Sequence, residues 1–254
     1  MVSFRSIFLL ALLLPLSLAA QTVLLLSTGN STIDTQTKGT IEAAGATVVI
    51  GNPYHSFTDT ELAGIDVVLL FPNYNWGSGD MSLAAQTALL DFVSAGGGLV
   101  TSEWTNWKVG AGQFQTLKAV LPVVATTQYT GGSAITYTSV TPDDTLNQGL
   151  PSALTFTADN FAGVESFFTA KSGATVFFSS SGGAGGAGLV GWDYGDGRVL
   201  QFSTTVGPAS LGHPNFSLLV QNSVQWAAVP EPSTTLLVAA GLALLVWQSA
   251  RRRR

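Results

Sequence analysis

The sequence contains no cysteine and only two histidines in 254 residues. The missing thiol excludes disulfides, thiolate metal sites, a cysteine nucleophile and a lipidated amino-terminal cysteine, and it is compatible with an oxidising compartment. His55 and His213 stand alone, and no acidic spacing repeats, so no metal-ligand set and no cofactor motif is present. Positive charge is scarce as well. Five of the ten Lys and Arg residues (Arg5 and Arg251 to Arg254) lie in the terminal segments, as does Glu231, leaving five basic against fourteen acidic residues in between, a net charge of −9. Such a surface repels phosphate backbones and disfavours nucleic-acid binding. What the chain has is 46% hydrophobic residues and 28 glycines without a triplet period, the composition of one well-buried domain with many tight turns.

Both ends read as processing segments. Residues 1–20 place Arg5 ahead of the apolar run Ile7 to Leu18, followed by the small residues Ser17 and Ala19 at the spacing a signal peptidase prefers. The run falls short of the roughly 20 residues a span requires. A cleaved signal peptide, ending at Ala19 or Ala20, is expected. The C-terminus reads VPEPSTTLLVAAGLALLVWQSARRRR. Pro230, Glu231 and Pro232 form a stiff break that cannot continue a helix. Thr234 to Ala250 is a short apolar stretch, and Arg251, Arg252, Arg253 and Arg254 form a cationic block that stays cytoplasmic and holds the rest of the chain outside.

These last residues resemble the PEP-CTERM sorting signal, a Pro-Glu-Pro motif followed by a hydrophobic helix and a basic cluster. The resemblance implies recognition by an exosortase in a Gram-negative bacterium that makes exopolysaccharide. It also implies transient anchoring in the inner membrane through the C-terminal helix, then a place at the envelope surface or in the extracellular matrix. The chain therefore divides into a signal peptide (1–20), a central domain (21–228) and a sorting signal (229–254).

Within the central domain, short apolar runs alternate with amphipathic stretches. Strands are expected at Val23 to Leu26, Thr47 to Ile50, Ile65 to Phe71 and Leu99 to Ser102. Helices are expected at Ile33 to Ala44, Asp59 to Ala63, Met81 to Ser94 and Gln113 to Val120. Continuous Val and Leu strands separated by helices indicate a parallel sheet covered on both faces. From Val123 the texture turns to β-like Thr, Val and Tyr alternation. A strand follows at Ala174 to Phe178, then a hairpin around Gly195, Asp196 and Gly197, and a last helix from about Asn215 to Ala227. The fold class is thus α/β, a three-layer sandwich with a mostly parallel sheet and a β-rich C-terminal half. The segments AGGGLVTSEW (Ala95 to Trp104), DDTLNQGLPSAL (Asp143 to Leu154), YGDGRVLQFST (Tyr194 to Thr204) and LGHPNFSLLVQNSVQWAA (Leu211 to Ala228) resemble the class I glutamine amidotransferase-like superfamily, in particular its ThuA-like members. That resemblance implies a flavodoxin-like sandwich.

Ligands of open α/β sheets bind at the carboxyl ends of the strands, which directs attention to Ser27 to Asn30, Asn73 to Trp76 and Ser102 to Trp107. The resemblance implies a nucleophilic cysteine where Ser102, Glu103 or Trp104 stands, and without a thiol amidotransfer is excluded. A grouping of Ser102, His213 and Glu103 or Asp193 can be drawn as a triad, against the simpler reading of His213 as a helix-start residue. Glu103 lies between Ser102 and Trp104 with Trp107 close behind, and Tyr74 and Trp76 follow the neighbouring strand. Aromatic faces stacking on sugar C–H surfaces beside a hydroxyl-accepting carboxylate would bind carbohydrate. The plainer alternative is that these aromatics pack the loops. Glycoside hydrolysis needs a second carboxylate, for which Asp80 and Asp193 are available without a motif behind them. Ser181 to Gly188 lacks the Lys and Ser/Thr of a phosphate loop and reads as a surface linker. Asp143 and Asp144 read as a turn and helix start. The expectation is an exported protein whose central domain is non-catalytic and associates with extracellular polysaccharide. The alternatives are a ThuA-like carbohydrate-active enzyme using Glu103 and His213, or a purely structural surface protein.

Overall fold

The computed structural model describes residues 20–132, 134–182 and 186–228. The expected signal peptide, the Pro-Glu-Pro motif, the apolar C-terminal stretch and the arginine cluster lie outside the described residues. Residues Gln21–Val229 form one compact unit.

The first half runs β1 (Thr22–Leu26), α1 (Ser31–Glu42), β2 (Thr47–Gly51), β3 (Val67–Leu70), α2 (Leu83–Ser94), β4 (Gly98–Thr101) and α3 (Glu103–Gly110). The second half contributes β5 (Val123–Val124), β6 (Tyr129–Thr130), β7 (Ala134–Ser139), β8 (Ala153–Thr157), β9 (Glu165–Ser166), β10 (Thr169–Ala170), β11 (Thr175–Ser180), β12 (Ala187–Tyr194) and β13 (Gly197–Phe202), and closes with α4 (Pro208–Leu211) and α5 (Pro214–Ala227). Nine strands form one sheet in the order β2-β1-β3-β4-β13-β12-β11-β7-β8. The pairs from β2 through to β13 are parallel, and the four strands beyond are antiparallel. The expected α/β sandwich with a parallel N-terminal half and a β-rich C-terminal half is what forms.

Side chains alternate across a strand, so a strand buried on both faces must be apolar at every position. Val23, Leu25, Val67, Leu69 and Val100 join α1 and α5 residues such as Ile41, Phe216 and Val220 in one core. Leu24, Leu26, Val68, Leu70 and Leu99 join Ala85, Leu89 and Val93 of α2 in the other. Local signals start the helices that cover these faces. Asn30 caps α1, its Oδ1 accepting from the Thr32 and Ile33 amides at 3.0 and 3.3 Å, and Ser82 caps α2 through the Ala85 amide. The edge strand β2 is guarded. Lys38 Nζ donates to Val48 O at 2.6 Å, Glu42 Oε1 accepts the Val48 amide at 3.3 Å, and Glu61 Oε2 accepts the Asn52 amide at 2.8 Å, which occupies edge groups that would otherwise recruit another strand.

Three expectations change. Asp59 to Ala63 and Gln113 to Val120 contain only 3-10 turns, at Asp59–Leu62 and Leu117–Ala119. The second is prevented from becoming a full helix by Phe114, which sits at φ 50°. Gln86 Oε1 instead accepts the Thr116 and Leu117 amides. Residues 103–110 form a helix and not a loop, in which Glu103, Trp104, Thr105, Asn106, Lys108 and Val109 are buried, so the backbone polar groups are satisfied within the helix. At the β12–β13 hairpin, Gly195 has φ 61° and a Cβ there would lie 2.5 Å from Ser94 O, so the turn needs glycine for both reasons.

The two halves of the sheet meet on Phe216 of α5. Its fully buried ring lies 4.3 Å from that of Phe156 in β8 and 5.7 Å from that of Phe202 in β13. Phe216→Ala is expected to cost about 3–5 kcal/mol in denaturant unfolding, through reduced burial plus the cavity left between the halves; a loss under about 1 kcal/mol would show that this ring does not join them.

Candidate functional site

The carboxyl ends of β3 and β4 open into two connected segments. After β3, Asn73 Nδ2 donates to Val206 O at 2.7 Å and Asn75 Nδ2 donates to Ser27 O at 2.9 Å. Tyr54 Oη donates to Asn75 O at 2.7 Å and lies 3.1 Å from Ser78 O. Lys108 on α3 is fully buried and pins the same loop, its Nζ donating to Ser78 O at 2.9 Å and to Gln113 Oε1 at 2.8 Å. Burial lowers its pKa to about 8, with Asp80 partly opposing the shift. The loop carrying Tyr74 and Trp76 is therefore fixed.

After β4, Ser102 stands at the start of α3 with its Oγ unpartnered, and Glu103 occupies the first helical turn with no solvent exposure. Neither Glu103 oxygen has a hydrogen-bond partner. Burial raises its pKa well above the ordinary carboxylate range, and the nearby carboxylate of Glu165 raises it further. Glu165, on β9, is also buried, and burial raises its pKa too, against the opposing effect of the Ser180 and Ser203 hydroxyls. Ser203 Oγ donates to Glu165 Oε1, so the Tyr137 hydroxyl, 2.8 Å from Ser203 Oγ, is the donor in that pair. Tyr137, Ser203 and Glu165 thus form a directed chain in the interior. Glu103 faces it without hydrogen bonds of its own. The main chain closes over both acids: a Cβ on Gly163 would lie 2.9 Å from Glu103 Oε1, and one on Gly182 would collide with Glu165 Oε2.

Above the acids lies an aromatic cluster. Trp104 is fully buried and stacks on Trp76 at 4.7 Å and 15°. Trp107 meets both indoles edge-on, at 5.3 Å from Trp104 and 5.8 Å from Trp76, and Tyr129 lies 5.8 Å from Trp104. Tyr74 sits beside Phe161 at 5.5 Å. Tyr74 and Tyr129 are 61% and 45% exposed, so the outer members of this band face solvent while Trp104 is consumed by packing.

The structure thus brings Trp76, Trp104, Trp107 and Glu103 together. It does not assemble the drawn triad. No hydrogen bond joins Ser102 to His213, which stands at the start of α5 with Nδ1 unpartnered. Asp193 pairs with Arg198 at 3.2 Å at the far end of β13, where Arg198 is in register with Gly98. Asp80 is committed to the Phe114 amide at 3.0 Å. The second carboxylate near Glu103 is Glu165, which sequence reasoning missed. Its one signal was a lone acid in the apolar run Val164 to Phe168.

Residues 228–254 match the PEP-CTERM protein-sorting motif. The motif implies export, an exosortase as processing partner and a C-terminal membrane anchor before sorting. No helix among the described residues is long and apolar enough to cross a membrane, and the apolar stretch of the motif lies outside them. No curated protein matches the chain. Among solved structures, a cytoplasmic protein from Salmonella typhimurium is similar at a TM-score of 0.60 and 17% identity, over 82% of this chain and 99% of that one. A ThuA-like protein from Bacteroides uniformis is similar at a TM-score of 0.59 and 10% identity, over 87% and 97%. A β-galactosidase from Rahnella sp. R3 is similar at a TM-score of 0.59 and 14% identity, over 84% of this chain and 32% of the enzyme. These likenesses are of fold alone, and show that the central domain has the α/β fold also found in a ThuA-like protein.

The acid pair makes stability depend on pH. The folded protein retains protons that the unfolded chain has released above the ordinary value of 4.5, so stability falls as pH rises above that value. Glu103→Gln is expected to match the native protein near pH 4 and to melt higher than it by about pH 7, as read by thermal unfolding across this range; parallel native and variant curves would show that Glu103 is not held protonated.

Proposed function

We propose that this is an exosortase-sorted envelope protein whose central domain associates, without turnover, with extracellular polysaccharide. The observation that carries the reading is the set of aromatic rings beyond the strand ends, Trp76, Trp107 and Tyr129 around the buried Trp104 and Tyr74 paired with Phe161, with Tyr74 and Tyr129 exposed over a closed floor. Exposed aromatic faces on a rigid loop offer sugar C–H surfaces a stacking platform at little entropic cost. The floor supports binding over catalysis, because Glu103 and Trp104 are fully buried and Gly163 and Gly182 lie against the two acids. A bound chain would lie along the band and not enter the fold. The sorting motif supplies the setting, since it supports delivery to the side of the membrane where such polymers accumulate.

Titration of residues 21–228 with exopolysaccharide from the producing bacterium tests this reading. Trp76→Ala and Tyr129→Ala are each expected to weaken binding about 3- to 10-fold, the value of one aromatic interaction; absence of binding by the native domain would refute it. For sorting, replacing Pro230, Glu231 and Pro232 by alanine is expected to leave the protein in the membrane fraction. Release equal to that of the native chain would remove the exosortase from the account.

One observation favours a second reading, a carbohydrate-active enzyme. Glu103 and Glu165 are neighbouring carboxyls in unequal environments, one without hydrogen bonds and one oriented by Ser203, the asymmetry that separates a general acid from a base. Glu165 would then replace His213 as the partner of Glu103. Sugar released by the native domain but not by Glu103→Gln or Glu165→Gln would bring this reading to the front.

A further inference from the structure

At the end of the sheet opposite the aromatic band lies a groove of about 490 Å3, within the size range of small-ligand sites. Its place follows from strand register. Arg198 begins the run of β13 that pairs with Gly98 at the amino end of β4, whereas Glu103 and the aromatic band follow the carboxyl end. Asp193 faces Arg198 across the hairpin, and Gly191, two residues along β12, is paired with Thr175 at the start of β11. Gly191 lets Leu200 and Phe177 pack against the strand, and Thr175, Asp193, Trp226 and Asp143 line the groove around it.

The groove is lined by polar groups held in place from behind. Asp143 Oδ1 accepts the Thr145 and Leu146 amides at 2.9 Å each, and its Oδ2 accepts Trp226 Nε1 at 3.2 Å. The Arg198 guanidinium lies 5.1 Å from the Trp226 ring centre, with Nε donating to Asp193 Oδ1 and Nη1 to Trp226 O, both at 3.2 Å. Nη2 has no hydrogen-bond partner among the described residues, and the Asp193 side chain is 77% exposed with Oδ2 open. A fixed guanidinium beside an open carboxylate, with Thr175 also lining the groove, offers both donors and acceptors to a hydroxyl-rich ligand. Two carboxylates against one guanidinium leave the lining at −1, which repels uronates and sulfated sugars.

We propose that this groove is a second glycan-binding site, selective for neutral sugar units. The proposal rests on the reading of the domain as a polysaccharide-associated module and adds a consequence to it. With binding surfaces at opposite ends of the sheet, one domain engages two polymer segments and cross-links them, so the avidity of the matrix exceeds either surface alone.

The test uses residues 21–228, which lie within one compact unit. The probe is exopolysaccharide of the producing bacterium, separated by anion exchange into neutral and uronate-rich fractions. Calorimetry should give two sites per domain on the neutral fraction, and light scattering should show cross-linked polymer. Asp193→Ala removes an exposed acceptor, and Thr175→Tyr fills the groove from a strand end. Each is expected to halve the number of sites and abolish cross-linking, while the site that remains is still weakened by Trp76→Ala. If both variants keep native stoichiometry and cross-linking while Trp76→Ala weakens binding, the groove is not a glycan site and the aromatic band stands alone. If the native domain binds neither fraction, the polysaccharide reading itself fails. Preference for the uronate-rich fraction that both groove variants leave unchanged would likewise overturn the assignment.

Discussion

Burial of the parallel strands on both faces is the constraint on which the remaining architecture depends. Strands such as Val67–Leu70 and Gly98–Thr101 have no exposed position at all. Their side chains go alternately into the core under α1 and α5 and the core under α2. A sheet filled this way has no functional face, so chemistry and recognition are confined to its two ends and to the antiparallel wing. Several of the polar atoms that remain unpaired in the interior gather at one of those ends: Asn73, Asn75, Ser102, Glu103, Trp104 and Asn106 stand at or just beyond the carboxyl ends of β3 and β4.

At that end the structure holds two acids in a low-polarity setting and seals them. Glu165 is oriented by a hydrogen-bonded chain that starts at Tyr137, while Glu103 has only its proton to relieve the cost of burial. The aromatic cluster completes the seal. Trp76 stacks over the buried Trp104 ring, and Lys108 locks the loop from which Trp76 extends. The exposed rings of Tyr74 and Tyr129 therefore lie over a floor that is closed to solvent.

The opposite end differs in kind. There Asp143, Trp226 and Arg198 hold one another in a groove open to solvent, polar where the first end is aromatic. The sorting motif occupies only residues 228–254, so whatever the two dissimilar ends recognise is decided by the central domain and not by the motif.

The sequence by itself determined the C-terminal sorting motif and the parallel half, because both are written in local patterns. The sorting motif is contiguous, and the Val and Leu runs of β1, β3 and β4 declare two-sided burial without reference to the rest of the chain. It also marked Glu103 and the tryptophans near it, which share one short segment. It did not reveal that 103–110 is a helix, since polar Glu103, Thr105, Asn106 and Lys108 are buried along with Trp104 and Val109 and leave no polar stripe to show its period. Nor did it connect Glu103 to Glu165, 62 positions apart, or separate Asp193 from the strand ends. Those relations arise when β9 meets Thr204 and when β13 inserts beside β4, long-range pairings decided by the packing of the whole sheet.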